Sequence, residues 1–138
     1  MLSDSVAIVD QFYKAWFEAD MPAMAVCLDE HIRLSQHFAD PALPFTGETH
    51  GRGAFMIRIA KINAEWCFLK AIPVKNYVDQ ETVRTSVEVE IRHLQSGETF
   101  EGTLRHIWRV RDGLITECDE YIDVARLKAF LRLLGLPA

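Results

Sequence analysis

The chain has 138 residues, 49% of them hydrophobic and 25% charged, and its 15 Lys and Arg against 20 Asp and Glu leave a formal charge of -5. At this length folding buries roughly 68% of the unfolded chain's surface, enough for one core and too little for two, so residues 1–138 are expected to form a single domain. Acidic balance without a basic block argues against nucleic acid. The absence of any apolar run near the roughly 18 residues that span a bilayer, with acids where a signal peptide would carry positive charge, predicts a cytoplasmic protein with no membrane partner.

From Asp4 to Ala19 the residues Val6, Val9, Phe12, Tyr13 and Trp16 recur every three or four positions, which predicts a helix with one buried face and Ser3 as its cap. Asp20 before Met21 and Pro22 predicts a short second helix ending near Leu28, because Asp accepts orphan amides and Pro is tolerated in a first turn. His31 to Phe38 alternates Ile32, Leu34, Gln36 and Phe38 with a more polar set, the two-residue period of a half-buried strand. Ala39 to Gly53 lacks periodicity, and a loop of about 15 residues in a compact domain predicts a lid or pocket rim. Phe55, Ile59, Ile62 and Trp66 mark a third helix ending near Cys67.

Residues 69–79 read as a strand that Pro73 assigns to an edge or a bulge. Val83 to Ile91 and Phe100 to Val110 alternate on either side of Ser96-Gly97, which predicts a hairpin. A two-residue loop there would set Val87 opposite His106 and Val89 opposite Leu104. It would also make the charge pairs Arg92–Glu101 and Glu88–Arg105, worth about 0.2 to 1 kcal/mol each. Arg111-Asp112-Gly113 predicts a further turn into a strand from Leu114 to Ile122, and Asp123 caps a last helix with the stripe Leu127, Phe130, Leu131 and Leu134 before Gly135. Helices segregated against a mostly antiparallel sheet make the fold class α+β. Cys27, Cys67 and Cys118, odd in number and widely spaced, read as reduced core thiols.

The predicted inner face of the last two strands carries Phe100, Leu104, His106, Trp108 and Val110 beside Leu114, Thr116, Cys118, Glu120 and Ile122. Within it only His106, Thr116 and Glu120 are polar. Desolvation pushes a carboxylate up and an imidazole down, toward the range useful for proton transfer near neutrality. Pairing Val110 with Leu114 would face His106 to Cys118 and leave Glu120 on the diagonal, within reach of long side chains. Tyr13, Trp16, Trp66, Trp108 and Phe100 are candidates for core or for the flat walls of a pocket, with Thr116 beside them. His31, His37 and His93 are expected to be solvated and His50 to sit in the long loop. No histidine pair has the short spacing that makes a metal site specific.

The element order, with Val110-Arg111-Asp112-Gly113-Leu114-Ile115 and Glu120-Tyr121-Ile122-Asp123, resembles the nuclear transport factor 2-like superfamily, and within it the SnoaL-like polyketide cyclase branch. The resemblance implies a cone in which a strongly curved sheet wraps a long helix and leaves a pocket at the open end. It places His106 where those cyclases have a catalytic His and where ketosteroid isomerases have the protonated Asp of the oxyanion hole. Glu120 falls at the acid/base Asp of the cyclases, one methylene longer. Asp40-Pro41 resembles the dipeptide that carries the isomerases' general base, whereas their oxyanion Tyr would fall at Phe12, about 100° round the helix from Tyr13. The resemblance also implies that the outer sheet face packs against a second copy, making a homodimer.

Together these features point to an enzyme without a cofactor, an isomerase, cyclase, dehydratase or hydratase acting on a small apolar molecule. His106 and Glu120 would exchange protons while Asp40 or Tyr13 orients a carbonyl or hydroxyl. The rival is a non-catalytic module of the same fold, either holding a hydrophobic ligand or serving as a dimerisation unit. A dehydratase of the scytalone type would need His37 or His50 to turn inward.

Overall fold

Burial of apolar faces around one sheet organises the elements, in the order α1 (Leu2–Phe17), α2 (Met21–Ala25), β1 (Leu28–Gln36), β2 (Glu48–His50), α3 (Arg52–Glu65), β3 (Trp66–Val78), β4 (Thr82–His93), β5 (Thr99–Arg111), β6 (Leu114–Tyr121) and α4 (Val124–Leu133). The computed structural model describes residues 2–40, 42–43 and 46–136, the side chains at positions 2 and 3 excepted. The capping role expected of Ser3 therefore lies outside the described residues, and α1 begins one residue before it. Among the described residues six strands form one sheet ordered β2-β1-β6-β5-β4-β3. All neighbours are antiparallel except β1 and β6, which run parallel.

Helix α1 lies against β3 to β6, and α3 against β1, β2 and β3. The core between them holds Phe12, Trp108, Ile32, Ile59 and Ile115. Asp20 caps α2 by accepting from the Ala23 amide at 3.1 Å, and Asp123 caps α4 by accepting from the Arg126 amide at 3.1 Å. Pro73 sits in β3, the outermost strand, where a missing N–H costs least. No helix among the described residues is long and apolar enough to cross a membrane.

Several boundaries and one residue class depart from the sequence reading. Leu28 already belongs to β1 and Trp66 to β3, and both side chains are buried in the core. The stretch expected as a loop contains a bridge between Asp40 and Leu43 and the strand β2, paired with β1 through Arg33 and His50. Cys27 and Cys118 are buried thiols, but Cys67 is exposed on the outer side of the edge strand.

Two register corrections matter more. The β4–β5 turn is four residues long, closed by His93 N–H to the Glu98 carbonyl at 2.8 Å and Gly97 N–H to the His93 carbonyl at 2.8 Å. The His93 ring also bonds the Ser96 hydroxyl at 2.8 Å, and this local network outweighs two surface ion pairs. Val87 therefore faces Leu104, Thr85 faces His106, and the expected pairs Arg92–Glu101 and Glu88–Arg105 do not form. The slip is two residues, so every side chain keeps its face.

Asp112 and Gly113 both take positive φ, 53° and 76°, and form a tight two-residue turn that pairs Arg111 with Leu114. A bulge follows in β6, where Thr116 is the extra residue between the pairs Val110–Ile115 and Arg109–Glu117. It turns Ile115 inward and sets His106 directly opposite Glu120, where the sequence reading had Cys118. Since Gly113 fixes this turn, Gly113→Val is expected to lower the unfolding free energy by about 1 to 2 kcal/mol. A shift of the urea midpoint at unchanged slope would show it.

Candidate active site

Strand alternation places four polar side chains on an otherwise apolar inner face: Thr85 on β4, His106 on β5, Glu120 on β6 and Gln36 on β1. They are adjacent because β1, β6, β5 and β4 are consecutive in the sheet. Tyr13 comes from α1 and Arg58 from α3, each on the buried side of its helix. His106 is 1% exposed and Glu120 5% exposed.

These groups form one hydrogen-bonded chain. Arg58 Nη1 donates to Gln36 Oε1 at 2.8 Å and to the Gly47 carbonyl at 2.7 Å. Gln36 Nε2 donates to Glu120 Oε1 at 2.8 Å, and His106 Nε2 lies 2.7 Å from Glu120 Oε2. His106 Nδ1 bonds the Tyr13 hydroxyl, which also bonds Thr85 and accepts from Trp108 Nε1 at 2.9 Å. Both ends of the chain, the Arg58 guanidinium and the Trp108 indole, can only donate. With His106 neutral, its Nε2–H donates to Glu120, its Nδ1 accepts from Tyr13, and Thr85 completes the Tyr13 oxygen. Donation then runs inward from both ends and meets at Glu120, which must be an ionised carboxylate to accept from both sides.

The electrostatics agree. Burial alone would raise the Glu120 carboxyl, but the bond from His106, the charge His106 carries when protonated, the bond from Gln36 and the charge of Arg58 outweigh it and hold the group below the usual carboxylate range. Burial lowers the Arg58 guanidinium, with the Glu120 charge opposing it, and pushes the Tyr13 phenol well above its ordinary value. Tyr13 is thus a neutral hydroxyl at physiological pH.

A cavity of about 90 Å³ adjoins this chain. Trp16, Trp66, Phe68, Phe100 and Leu104 are among its walls, and Gln36 and Glu120 are its amide and acid. Of the sequence candidates, Trp16, Trp66, Phe100 and Glu120 border it. His106 does not, because Trp16 and Trp108 pack on its ring with centroids 5.9 and 5.2 Å away. Tyr13 and Trp108 also lie behind the wall, in the core. Thr116, expected on the inner face, is displaced by the bulge and donates to the Arg109 carbonyl at 3.3 Å. Asp40, expected as a catalytic carboxylate, instead accepts from the Ala42 amide at 2.9 Å, and its backbone carbonyl accepts from the Leu43 amide at 2.8 Å, so it shapes a turn. Pro41 lies outside the described residues.

His37 bonds Asp119 at 2.8 Å and stacks on Tyr121 at 4.3 Å, and His50 is exposed beside Glu48, so neither reaches the cavity. No group of three or more His, Cys, Asp or Glu among the described residues could hold a metal ion. Sequence reasoning passed over Gln36 and Arg58. Their signal was a lone amide in the apolar set of the first strand, and an Arg three residues after Phe55 on a buried helical stripe.

A curved sheet crossed by a long helix, with a carboxylate at the base of an apolar cavity between them, defines a cone-shaped α+β protein built around an internal pocket. Residues 9–118 match the SnoaL-like domain family, and the chain belongs to that family. In structure it is similar to an NTF2-like protein from Burkholderia xenovorans, at 22% identity over 94% of this chain and 96% of that one with a TM-score of 0.81. It is also similar to a provisionally named isomerase from Rhodopseudomonas palustris, at 14% identity over 93% of this chain and 96% of that one with a TM-score of 0.84. A third similar structure is a provisionally named polyketide cyclase from Xanthomonas campestris, at 19% identity over 93% of this chain and 96% of that one with a TM-score of 0.77. Identities this low carry the fold and not the reaction. No curated protein matches the chain by sequence.

The chain predicts how Glu120→Gln behaves. The new amide oxygen can accept from Gln36 and its NH2 can donate to His106 Nε2, provided His106 changes tautomer and Tyr13 turns its hydroxyl to Thr85, so the variant is expected to fold. A carboxyl held below its unfolded value contributes stability that is full above about pH 4.3 and is lost as pH falls through the folded value. Wild type is therefore expected to lose more unfolding free energy than Glu120→Gln between pH 7 and pH 3, as read by urea titration. Equal losses would show that Glu120 is not held ionised.

Proposed function

We propose that this protein is a cofactor-independent enzyme that moves a proton within a small, enolisable and largely apolar substrate, an isomerase or cyclase with Glu120 as the acid/base group. One observation carries the reading: Glu120 borders an apolar cavity while donors occupy both of its oxygens. Each oxygen retains a lone pair that can take a substrate proton. A carboxylate held below the usual range is a weak base and a ready acid, so it suits a C–H already acidified by a carbonyl and returns the proton easily. His106 touches no guest and acts as a positioning residue, fixing the carboxylate in place.

The polar chain beyond His106 ends at Tyr13, Thr85 and Trp108, all buried, and offers no route for a proton to leave. A proton taken by Glu120 is therefore returned to the substrate. This favours isomerisation or ring closure over dehydration or hydration, in which water must leave or enter. The similar structures named as an isomerase and a polyketide cyclase support the same class. A second reading, a non-catalytic pocket for a hydrophobic ligand, is favoured by the small apolar cavity and the sealed imidazole.

Conversion of 3-cyclohexenone to its conjugated isomer, followed by ultraviolet absorbance, separates the two. Wild type is expected to accelerate it, and Glu120→Gln to lose at least about a hundredfold of that acceleration. A wild-type rate equal to buffer would leave the binding reading. For assembly we propose a homodimer through the outer sheet face, where Ile72 and Val74 pair with outward-facing Glu88 and Ser86 and are 48% and 54% exposed. Light scattering behind size exclusion is expected to give twice the 15.8 kDa chain mass at micromolar concentration; a monomer mass would refute it.

A further inference from the structure

Phe100 and Leu104 line the Glu120 cavity, whereas Gly102, between them on the same inner face of β5, does not. The Phe100 ring covers it. A Cβ on Gly102 would lie 2.8 and 2.9 Å from the ring carbons Cε1 and Cζ, well inside the roughly 3.5 to 4.0 Å at which carbon atoms pack. Among the described residues no other glycine is approached so closely. The backbone itself does not require glycine here, since Gly102 sits in an unbroken stretch of ladder opposite Val89 and its φ is not positive. A glycine within a strand packs nothing and carries an entropy cost, so what it contributes at this position is the space it leaves for the ring.

The other surroundings of the ring are firm on one side and open on the other. Phe130 of α4 meets it edge-on at 5.5 Å and is itself packed on Trp66 at 6.1 Å. Ile91 faces Phe100 across the ladder, and the cavity of about 90 Å³ adjoins both. We propose that Gly102 sets the size of guest the cavity accepts, by letting the Phe100 ring lie against β5 instead of in the cavity. Any side chain at position 102 would lift the ring from the strand. With Phe130 behind it, the ring would move into the open volume and shorten the space left for a ligand. Gly102 touches no guest and acts through Phe100 as a positioning residue. The proposal rests on the reading of this cavity as a ligand site, which the enzymatic and the binding alternatives share, and it holds for either of them.

Xenon and benzene probe an apolar cavity at two sizes, and neither needs a polar contact. Methyl resonances of Ile62, Leu104 and Leu127, all in the cavity wall, report their binding to 13C-labelled protein. Wild type is expected to bind both saturably. Gly102→Ala is expected to weaken benzene at least about tenfold and xenon less than about threefold, because the larger guest is the one that meets the displaced ring. Adding Phe100→Leu to Gly102→Ala is expected to restore benzene to within about threefold of wild type, since no ring then remains to be displaced. A merely structural role would weaken both probes alike and would not be rescued. Phe100→Leu alone frees the same volume and is expected to bind naphthalene at least about tenfold more tightly than wild type, which decides the matter should Gly102→Ala fail to fold. Benzene bound equally by wild type and Gly102→Ala, equal weakening of both probes, no rescue, naphthalene unaffected by Phe100→Leu, or no benzene binding to wild type up to its solubility limit would each overturn the proposal. The catalytic reading fails separately. Size selection by Gly102 in a protein that does not isomerise 3-cyclohexenone would keep this proposal and remove the enzyme, and isomerisation without size selection would do the reverse.

Discussion

Glu120 stands where two lines of hydrogen-bond donation collide. From one side Arg58 fixes the Gln36 amide so that its NH2 must point at the carboxylate, and from the other Trp108 and Tyr13 fix the His106 ring. An anion at the junction satisfies every member, whereas a neutral residue must reverse one arm. The Arg58 arm cannot reverse because a guanidinium never accepts. The Tyr13 arm can, through two hydroxyl rotors. A buried negative charge is costly unless it is fully bonded, and these contacts make it tolerable in a wall that is otherwise hydrocarbon.

Backbone details far from the cavity make that junction possible. The four-residue turn between β4 and β5 brings Thr85 opposite His106, and the bulge at Thr116 brings Glu120 opposite His106. Without the extra residue in β6, His106 would face a different partner and the carboxylate would lie one position along the ladder. A local irregularity thus exchanges ladder regularity for alignment of two ionisable groups, a familiar use of bulges near functional sites.

Periodicity made most element types legible: the long helices and most of the long strands followed from apolar residues repeating at three to four or at two positions, because burial of one face is what stabilises each, while the short α2 was read from its Asp20 cap and Pro22. The His106–Glu120 pair was legible for the related reason that a lone imidazole and carboxylate in apolar alternation are conspicuous. Register was not legible, since it turned on the His93–Ser96 contacts and on positive φ at Asp112, and neither has a periodic signature. Gln36 and Arg58 escaped notice because a single polar residue within an apolar stripe looks like noise until its partner on another element is known. The sealing of His106 behind Trp16 and Trp108, and the Asp40 turn that keeps its carboxylate out of the cavity, depend on how elements pack rather than on what each contains.

The link between Tyr13 and His106 spans 93 residues of chain. Helix α1 leaves the ribosome long before β5 and β6 exist, and until they arrive Phe12 and Tyr13 lack Trp108, the aromatic partner that β5 brings to both. Closing so long a loop carries an entropy cost that only the finished sheet can offset. The Glu120 junction therefore assembles last and all at once, and a nascent or truncated chain lacking its final strands would leave part of the N-terminal helix's apolar face exposed, suited to chaperone capture.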